Sequence, residues 1–143
     1  MLISTILSDK GNMVETIPDT ATLLDAAHVL DQKRIGAIVA VDSKGDLCGV
    51  ISERDIVRRF ASNAEKTVNM TVAQAMTRGV ITASPREDVD TCLGRMTDRR
   101  IRHLPVIEKG NLLGIISIGD LVKHKINAVL AEAEAMEAYI RSG

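Results

Sequence analysis

The chain has 143 residues, 45% of them hydrophobic, and a net charge of −1 from 18 basic and 19 acidic side chains. That length suits one compact domain of roughly 100–200 residues with a real core, and balanced charge excludes bulk attraction to nucleic acid or an acidic membrane. One Phe, one Tyr and no Trp leave almost no platform on which single-stranded bases could stack.

The opening Met1-Leu2-Ile3-Ser4 lacks a charged leader and a long apolar stretch. No apolar run approaches the ~18 residues of a membrane span. A cytoplasmic protein with no membrane partner is the expectation.

In chain order, Val14 to Ile17 reads as short and extended. Thr22-Leu-Leu-Asp25 resembles a capping box with Asp for the usual Glu, opening a helix whose apolar residues Leu23, Ala26, Ala27 and Leu30 recur at helical spacing through Lys33. Ala37 to Val41 is continuously apolar and predicts a strand buried on both faces. Ser43-Lys-Gly-Asp46 is a hairpin turn. Leu47 to Ile51 is the returning strand, and a helix follows from Glu53 to about Phe60. Ala61 to Thr67 is polar, has no apolar period, and reads as a linker. The order then recurs as Val80 to Thr82, Val89 to Arg99, Leu104 to Ile107, Leu112 to Ile116, and a helix from Gly119.

The last helix is expected from Leu121 to about Ile140. Val122, Ile126, Val129, Ala133, Met136 and Ile140 form a seam of alternating four- and three-residue steps. Such a helix either packs back on the body or pairs with a second subunit; a homodimer is the expectation. Cys48 and Cys92 fall at apolar slots of the pattern, Cys48 matching Leu113. They read as small core residues rather than a disulfide or metal pair, because nothing near them has ligand spacing.

The recurrence is an internal repeat. Gly49-Val-Ile-Ser-Glu-Arg-Asp55 is echoed by Gly114-Ile-Ile-Ser-Ile-Gly-Asp120, Arg34-Ile35 by Arg100-Ile101, and Ala40-Val41-Asp42 by Val106-Ile107-Glu108. A single one-residue indel lies in the hairpin turn. A weaker echo, Leu2 to Ser8 with Thr71 to Thr77, precedes each copy. Repeats of this kind are stacked supersecondary units, assigned here to residues 8–64 and 75–132.

Two constellations carry chemistry. Ser52-x-x-Asp55 and Ser117-x-x-Asp120 end a strand and open a helix. Their plain role is N-capping. Duplication, the outward-facing N–H groups of a helix start, and Asp rather than Glu at the third helical position favour a second role. A carboxylate there can accept both hydroxyls of a ribose. The other constellation is Lys33-Arg34-Ile35-Gly36-Ala37-Ile38 with its match Arg99-Arg100-Ile101-Arg102-His103-Leu104-Pro105. Arg34 and Arg100 suit helix C-termini. Arg102 and His103 replace Gly36 and Ala37, so one copy offers a snug slot and the other a phosphate-compatible edge. Arg54 could reach a phosphate; Ile118, in the counterpart region of the second copy, could not. Thr16 and Thr82 match at the ends of the first strands, as plain β-formers or as cleft-facing hydroxyls.

These motifs, with Arg100-Ile-Arg-His-Leu-Pro-Val106 and the lead-in Thr71-Val-Ala-Gln-Ala-Met-Thr77, resemble a tandem pair of cystathionine-β-synthase (CBS) domains, a Bateman module, over nearly the whole chain. The resemblance implies an α/β fold of two β-α-β-β-α repeats packed with pseudo-twofold symmetry, two clefts, and the long C-terminal helix as an addition. It implies that Ser52, Asp55, Ser117 and Asp120 meet ribose and phosphate. Thr16, Thr82, Ile35 to Ile38 (with Gly36 and Ala37 between) and Arg102 to Pro105 (with His103 and Leu104 between) would line the base. Val39 stands where the family has the proline matched by Pro105. Ligands so implied are AMP, ADP, ATP, NAD(H) or S-adenosylmethionine, without metal.

The function expected is a non-catalytic nucleotide-sensing regulatory module whose target is a separate protein or its own assembly. An enzyme is disfavoured. The chain has no Gly-x-Gly-x-x-Gly, P-loop or metal-ligand spacing, and His28, His103 and His124 are scattered. The alternative is a protein or nucleic-acid adaptor with vestigial clefts, supported by the Arg99 to His103 cluster and opposed by charge balance.

Overall fold

The computed structural model describes residues 1–11 and 14–142. These fall into two compact units: residues 14–82, and residues 83–142 together with 1–11. The order is α1 (Ile3–Lys10), β1 (Thr16–Pro18), α2 (Leu23–Lys33), β2 (Ala37–Val41), β3 (Leu47–Ser52), α3 (Glu53–Ser62), α4 (Ala64–Thr67), α5 (Val72–Ala75), α6 (Val89–Arg99), β4 (His103–Glu108), β5 (Asn111–Ser117) and α7 (Ile118–Ser142).

The unit of residues 14–82 has a three-stranded sheet in the order β1-β2-β3, β1 parallel and β3 antiparallel to β2. Its core joins Ile17, Leu23, Ala26, Leu30, Ile38, Ile51, Ile56, Val72 and Met76. Helix α2 begins with the expected capping box: Asp25 N–H donates to Thr22 Oγ1 and Thr22 N–H to Asp25 Oδ2, both at 3.1 Å. It buries Leu23, Ala26 and Leu30, the one-sided spacing that fixes its packed face. Short α5 supplies Val72 and Ala75 to this core, Met76 just after it adds a third side chain, and Thr77 pairs with Val50.

The other unit has the antiparallel pair β4-β5, with α6 burying Val89, Cys92 and Met96. Helix α1 joins it through Ile3 N–H to Glu87 O (2.9 Å) and Ser4 N–H to Pro85 O (3.0 Å). Glu87 is gripped by a forked ion pair from Arg95, which holds its carboxyl below the usual range. Each lead-in segment thus completes the unit of the other half of the chain. Its glycine shows how: Gly49 faces Met76, and Gly114 faces Leu7.

The indel lies where the repeat placed it. Asp42 Oδ1 organises the longer turn by accepting from Lys44 and Asp46 N–H at 2.9 and 3.0 Å. The shorter turn uses Lys109 and Gly110, both at positive φ (51° and 78°), as a two-residue hairpin requires. Both hairpins also carry a bulge just before the turn, between Ala40/Val41 and Val106/Ile107.

Three expectations are corrected. Val80 to Thr82 is not a strand; among the described residues its one trace is a parallel bridge from Ala83 to Val106. Ala83 N–H donates to Pro105 O and receives Ile107 N–H on its own carbonyl. Pro105 has no N–H on that edge, and Pro85 stands where Asp19 donates to Val41 O in the first copy. Two prolines remove both donors that would lengthen the ladder. Ala61 to Thr67 is not a plain linker. Helix α3 runs to Ser62, and α4 is capped by Asn63 Oδ1, with Thr67 buried and its hydroxyl on Asn63 O at 2.6 Å. Cys92 is a core residue as expected, whereas Cys48 sits at the bulge, half-buried, its Sγ 3.4 Å from Ala40 O.

Helix α7 has 25 residues, about 37 Å at 1.5 Å per residue. Leu121 is its buried anchor. Among the described residues no helix is long and apolar enough to cross a membrane.

Candidate functional site

Each Ser-x-x-Asp motif sits where a returning strand turns into a helix. Ser52 is the last residue of β3 and the N-cap of α3, with extended φ/ψ of −114° and 163°. Asp55 N–H donates to Ser52 Oγ at 3.2 Å. Asp55 Oδ2 accepts from Ser52 N–H and from Ser52 Oγ, both at 2.9 Å. In the second copy Asp120 N–H donates to Ser117 Oγ at 3.1 Å, and Asp120 Oδ2 accepts from Ser117 N–H at 2.8 Å. Both motifs are complete capping boxes, although Asp is shorter than the usual Glu. Every bond that the two carboxylates accept here uses Oδ2. Among the described residues, Oδ1 of each carboxylate has no hydrogen-bond partner. Capping therefore leaves each aspartate one acceptor atom for a ligand hydroxyl.

The second constellation is brought beside the first in both units. Ala37 pairs with Ser52 and His103 with Ser117 in the strand registers. Glu53 N–H donates to Gly36 O at 3.0 Å, and Ile118 N–H to Arg102 O at 2.8 Å. Gly36 and Ala37 thus flank the first motif, and Arg102 and His103 the second. Thr16 opens β1 opposite Val39 and is exposed. Thr82 lies half-buried, outside any strand, just ahead of the Ala83 bridge. Ile35 is half-buried, Arg54 and Arg102 are exposed, and Ala37, Ile38, Leu104 and Pro105 are out of solvent. Ile38 packs within its own unit's core.

Arg34 and Arg100 do end helices, in left-handed conformation with φ of 52° and 54°. Ile35 N–H reaches Leu30 O, and Ile101 N–H reaches Met96 O, the six-to-one bond of a Schellman end. Glycine is the residue favoured there, yet both copies carry arginine.

Two features escaped the sequence reading. Lys10 Nζ lies 2.7 Å from Asp120 Oδ2 and 2.9 Å from Ile115 O. Burial by itself would raise the Asp120 pKa, but the Lys10 ammonium and the Ser117 N–H outweigh it and hold the carboxyl below its usual value. Carrying the echo of Leu2–Ser8 with Thr71–Thr77 two residues further would have set Lys10 against Gly79 and exposed this difference. Beside Asp55, an open groove of about 370 Å³ is lined in part by Arg58, Arg59 and Thr77. Arg59 donates to Gln74 O at 3.2 Å. Among the described residues no cluster of three or more His, Cys, Asp or Glu is arranged to hold a metal ion.

A family model for the CBS domain matches twice, over residues 12–62 and 72–127. The chain belongs to the CBS-domain family. Among curated relatives, the mitochondrial CBS domain-containing protein CBSX3 of Arabidopsis thaliana is 32% identical over 99% of this chain and 72% of its own length. Among solved structures, the CBS-domain protein ATU1752 of Agrobacterium tumefaciens is 36% identical with a TM-score of 0.84, covering 87% of this chain and 92% of that one. The CBS domain pair of MJ0100, described in complex with 5′-methylthioadenosine and S-adenosyl-L-methionine, is 26% identical with a TM-score of 0.78, covering 90% and 98%. Each CBS match in this chain contains one Ser-x-x-Asp motif together with the strand entry beside it.

Proposed function

We propose that this CBS-domain pair is a non-catalytic regulatory module that binds an adenosine compound: AMP, ADP, ATP or NAD(H). The observation that carries the reading is the twice-built aspartate whose Oδ2 caps a helix and whose Oδ1 is left over. A ribose presents two adjacent hydroxyl donors, which an ionised carboxylate accepts strongly. Asp55 with Ser52, and Asp120 with Ser117, would hold the sugar. Thr16 and Thr82, and the main chain from Ile35 to Ile38 and from Arg102 to Pro105, would meet the base. Arg54 and Arg58 on the first turns of α3, and Arg102 with His103 in the second repeat, supply positive charge for phosphate. The adenosine ligands of the MJ0100 structure support this class.

In this reading Ser52 and Ser117 serve the helix caps and the sugar, and ligand binding itself is the signal. It acts by favouring one of two states of the module, read by a separate target protein or by a homodimer partner. Two free thiols suit a reducing compartment, and the cytoplasm is the location proposed.

Calorimetry with AMP, ATP, NADH and S-adenosylmethionine tests the reading on the intact chain and on Asp55→Asn and Asp120→Asn, which keep a capping acceptor. The expected result is saturable binding of at least one ligand, weakened about tenfold or more by one or both variants, with ligand recovered unchanged. Absence of heat with all four at millimolar concentration, or unaltered affinity in both variants, would overturn it.

A further inference from the structure

The geometry points to antiparallel pairing of α7 with α7 of a second copy of this chain, centred on Ala131. This goes beyond nucleotide binding and rests only on the homodimer reading above. Val122, Ile126, Val129, Met136 and Ile140 are 41%, 54%, 52%, 69% and 73% exposed. They and Ala133 form a single stripe at steps of four and three. The helix meets its own unit through a different face. Leu121 is buried, His124 and Ala128 are half-buried, and His124 Nε2 lies 3.9 Å from Asp9 Oδ2. The apolar stripe is therefore left uncovered along the whole helix, far more than scattered surface apolar residues require.

The occupant is fixed by self-complementarity. Turned end for end about Ala131, the stripe meets itself layer by layer: Val122 of one copy faces Ile140 of the other, Ile126 faces Met136, and Val129 faces Ala133. These are the facing core positions that interdigitate in a coiled coil. Charge selects the same direction. The start of the helix carries Lys123, His124 and Lys125, and its second half Glu132, Glu134 and Glu137. Parallel pairing sets the glutamates of the two copies together, Glu132 beside Glu137. Lys125 is held by Asp90 of its own unit at 3.0 Å, so the deciding contact is Lys123: antiparallel pairing brings it toward Glu137 of the other copy at both ends, against a single Glu132–Glu132 contact, with the helix dipoles opposed. Glu137 already accepts from Arg141 of its own helix at 2.7 Å, which leaves its second oxygen for that contact.

Sedimentation of the full chain, with disulfide cross-linking, tests the proposal. Every residue changed is exposed. Val122→Cys mixed with Ile140→Cys should give an oxidised heterodimer, as should Ile126→Cys with Met136→Cys. Neither member of a pair should cross-link with itself, and the unsubstituted chain, carrying Cys48 and Cys92, is the control. Glu137→Lys should weaken the dimer about tenfold, and the double variant Lys123→Glu/Glu137→Lys should restore it. Self-cross-linking at Val122→Cys shows parallel pairing, and a dimer with no α7 cross-link places the interface elsewhere. Either overturns the inference and leaves the homodimer reading standing. A monomer at every concentration overturns both, assigns the stripe to a different partner, and leaves nucleotide binding untouched.

Discussion

Lys10 and Asp120, 110 residues apart in sequence, form an ion pair of 2.7 Å in which the ammonium also donates to Ile115 O. Among the described residues, the equivalent Asp55 has only its capping partner Ser52. The two halves of the repeat therefore hold the same carboxylate in different electrostatic settings. Asp120 is pinned by a cation contributed by α1, while Asp55 lies beside a groove with Arg58 and Arg59.

Replacing Lys10 with Met should be visible in the pH dependence of stability. Asp120 titrates below its ordinary value in the folded chain. Its contribution is fully present above the unfolded aspartate value near 3.9 and is lost as pH falls through the lower folded value. The pair is partly exposed, so Lys10→Met should cost about 0.5–1 kcal/mol at pH 7. Urea unfolding should show the gap from the wild type closing in strong acid. A carbon-detected titration should show Asp120 moving upward in the variant.

The two motif glycines should differ in tolerance. A Cβ on Gly49 would overlap the Met76 side chain and lie 3.0 Å from the main-chain oxygen of Thr77, while one on Gly114 would lie 2.7 Å from Leu7 Cδ2 alone. Main chain paired to Val50 cannot step aside as a leucine methyl can. Gly49→Ala should destabilise by about 1–3 kcal/mol and Gly114→Ala by less, measured by chemical denaturation of both variants.

Arg34→Gly and Arg100→Gly should each stabilise the fold by up to about 1 kcal/mol, because arginine bears the left-handed conformation at a cost that glycine does not. A rise in Tm checks this. If the same variants leave ligand affinity unchanged, the two arginines act on the helix ends alone.

Both thiols should be slow toward disulfide reagents in the folded chain. Burial pushes the Cys48 and Cys92 pKa values up, with Asp19 adding to the first and Glu87 to the second. The thiolate is the reacting form. Two fast thiols should appear only after unfolding in urea.

The amino-acid sequence by itself determined the repeat, the helices at 23–33 and 89–99, the hairpins with their single indel, and the placement of both Ser-x-x-Asp motifs at strand-to-helix junctions. Periodicity, caps and turn residues act between near neighbours, so they can be read along a line. Tertiary structure decided what depends on distant partners. Pro85 and Pro105 together stopped the strand expected at Val80 to Thr82, because a ladder needs donors from both of its edges. Asn63 and the buried Thr67 turned a polar stretch into a helical turn. The lead-in segments were assigned to opposite halves, which brought Lys10 to Asp120. The stripe on α7 was legible as a pattern, but only the fold showed that its own unit packs against another face of the helix.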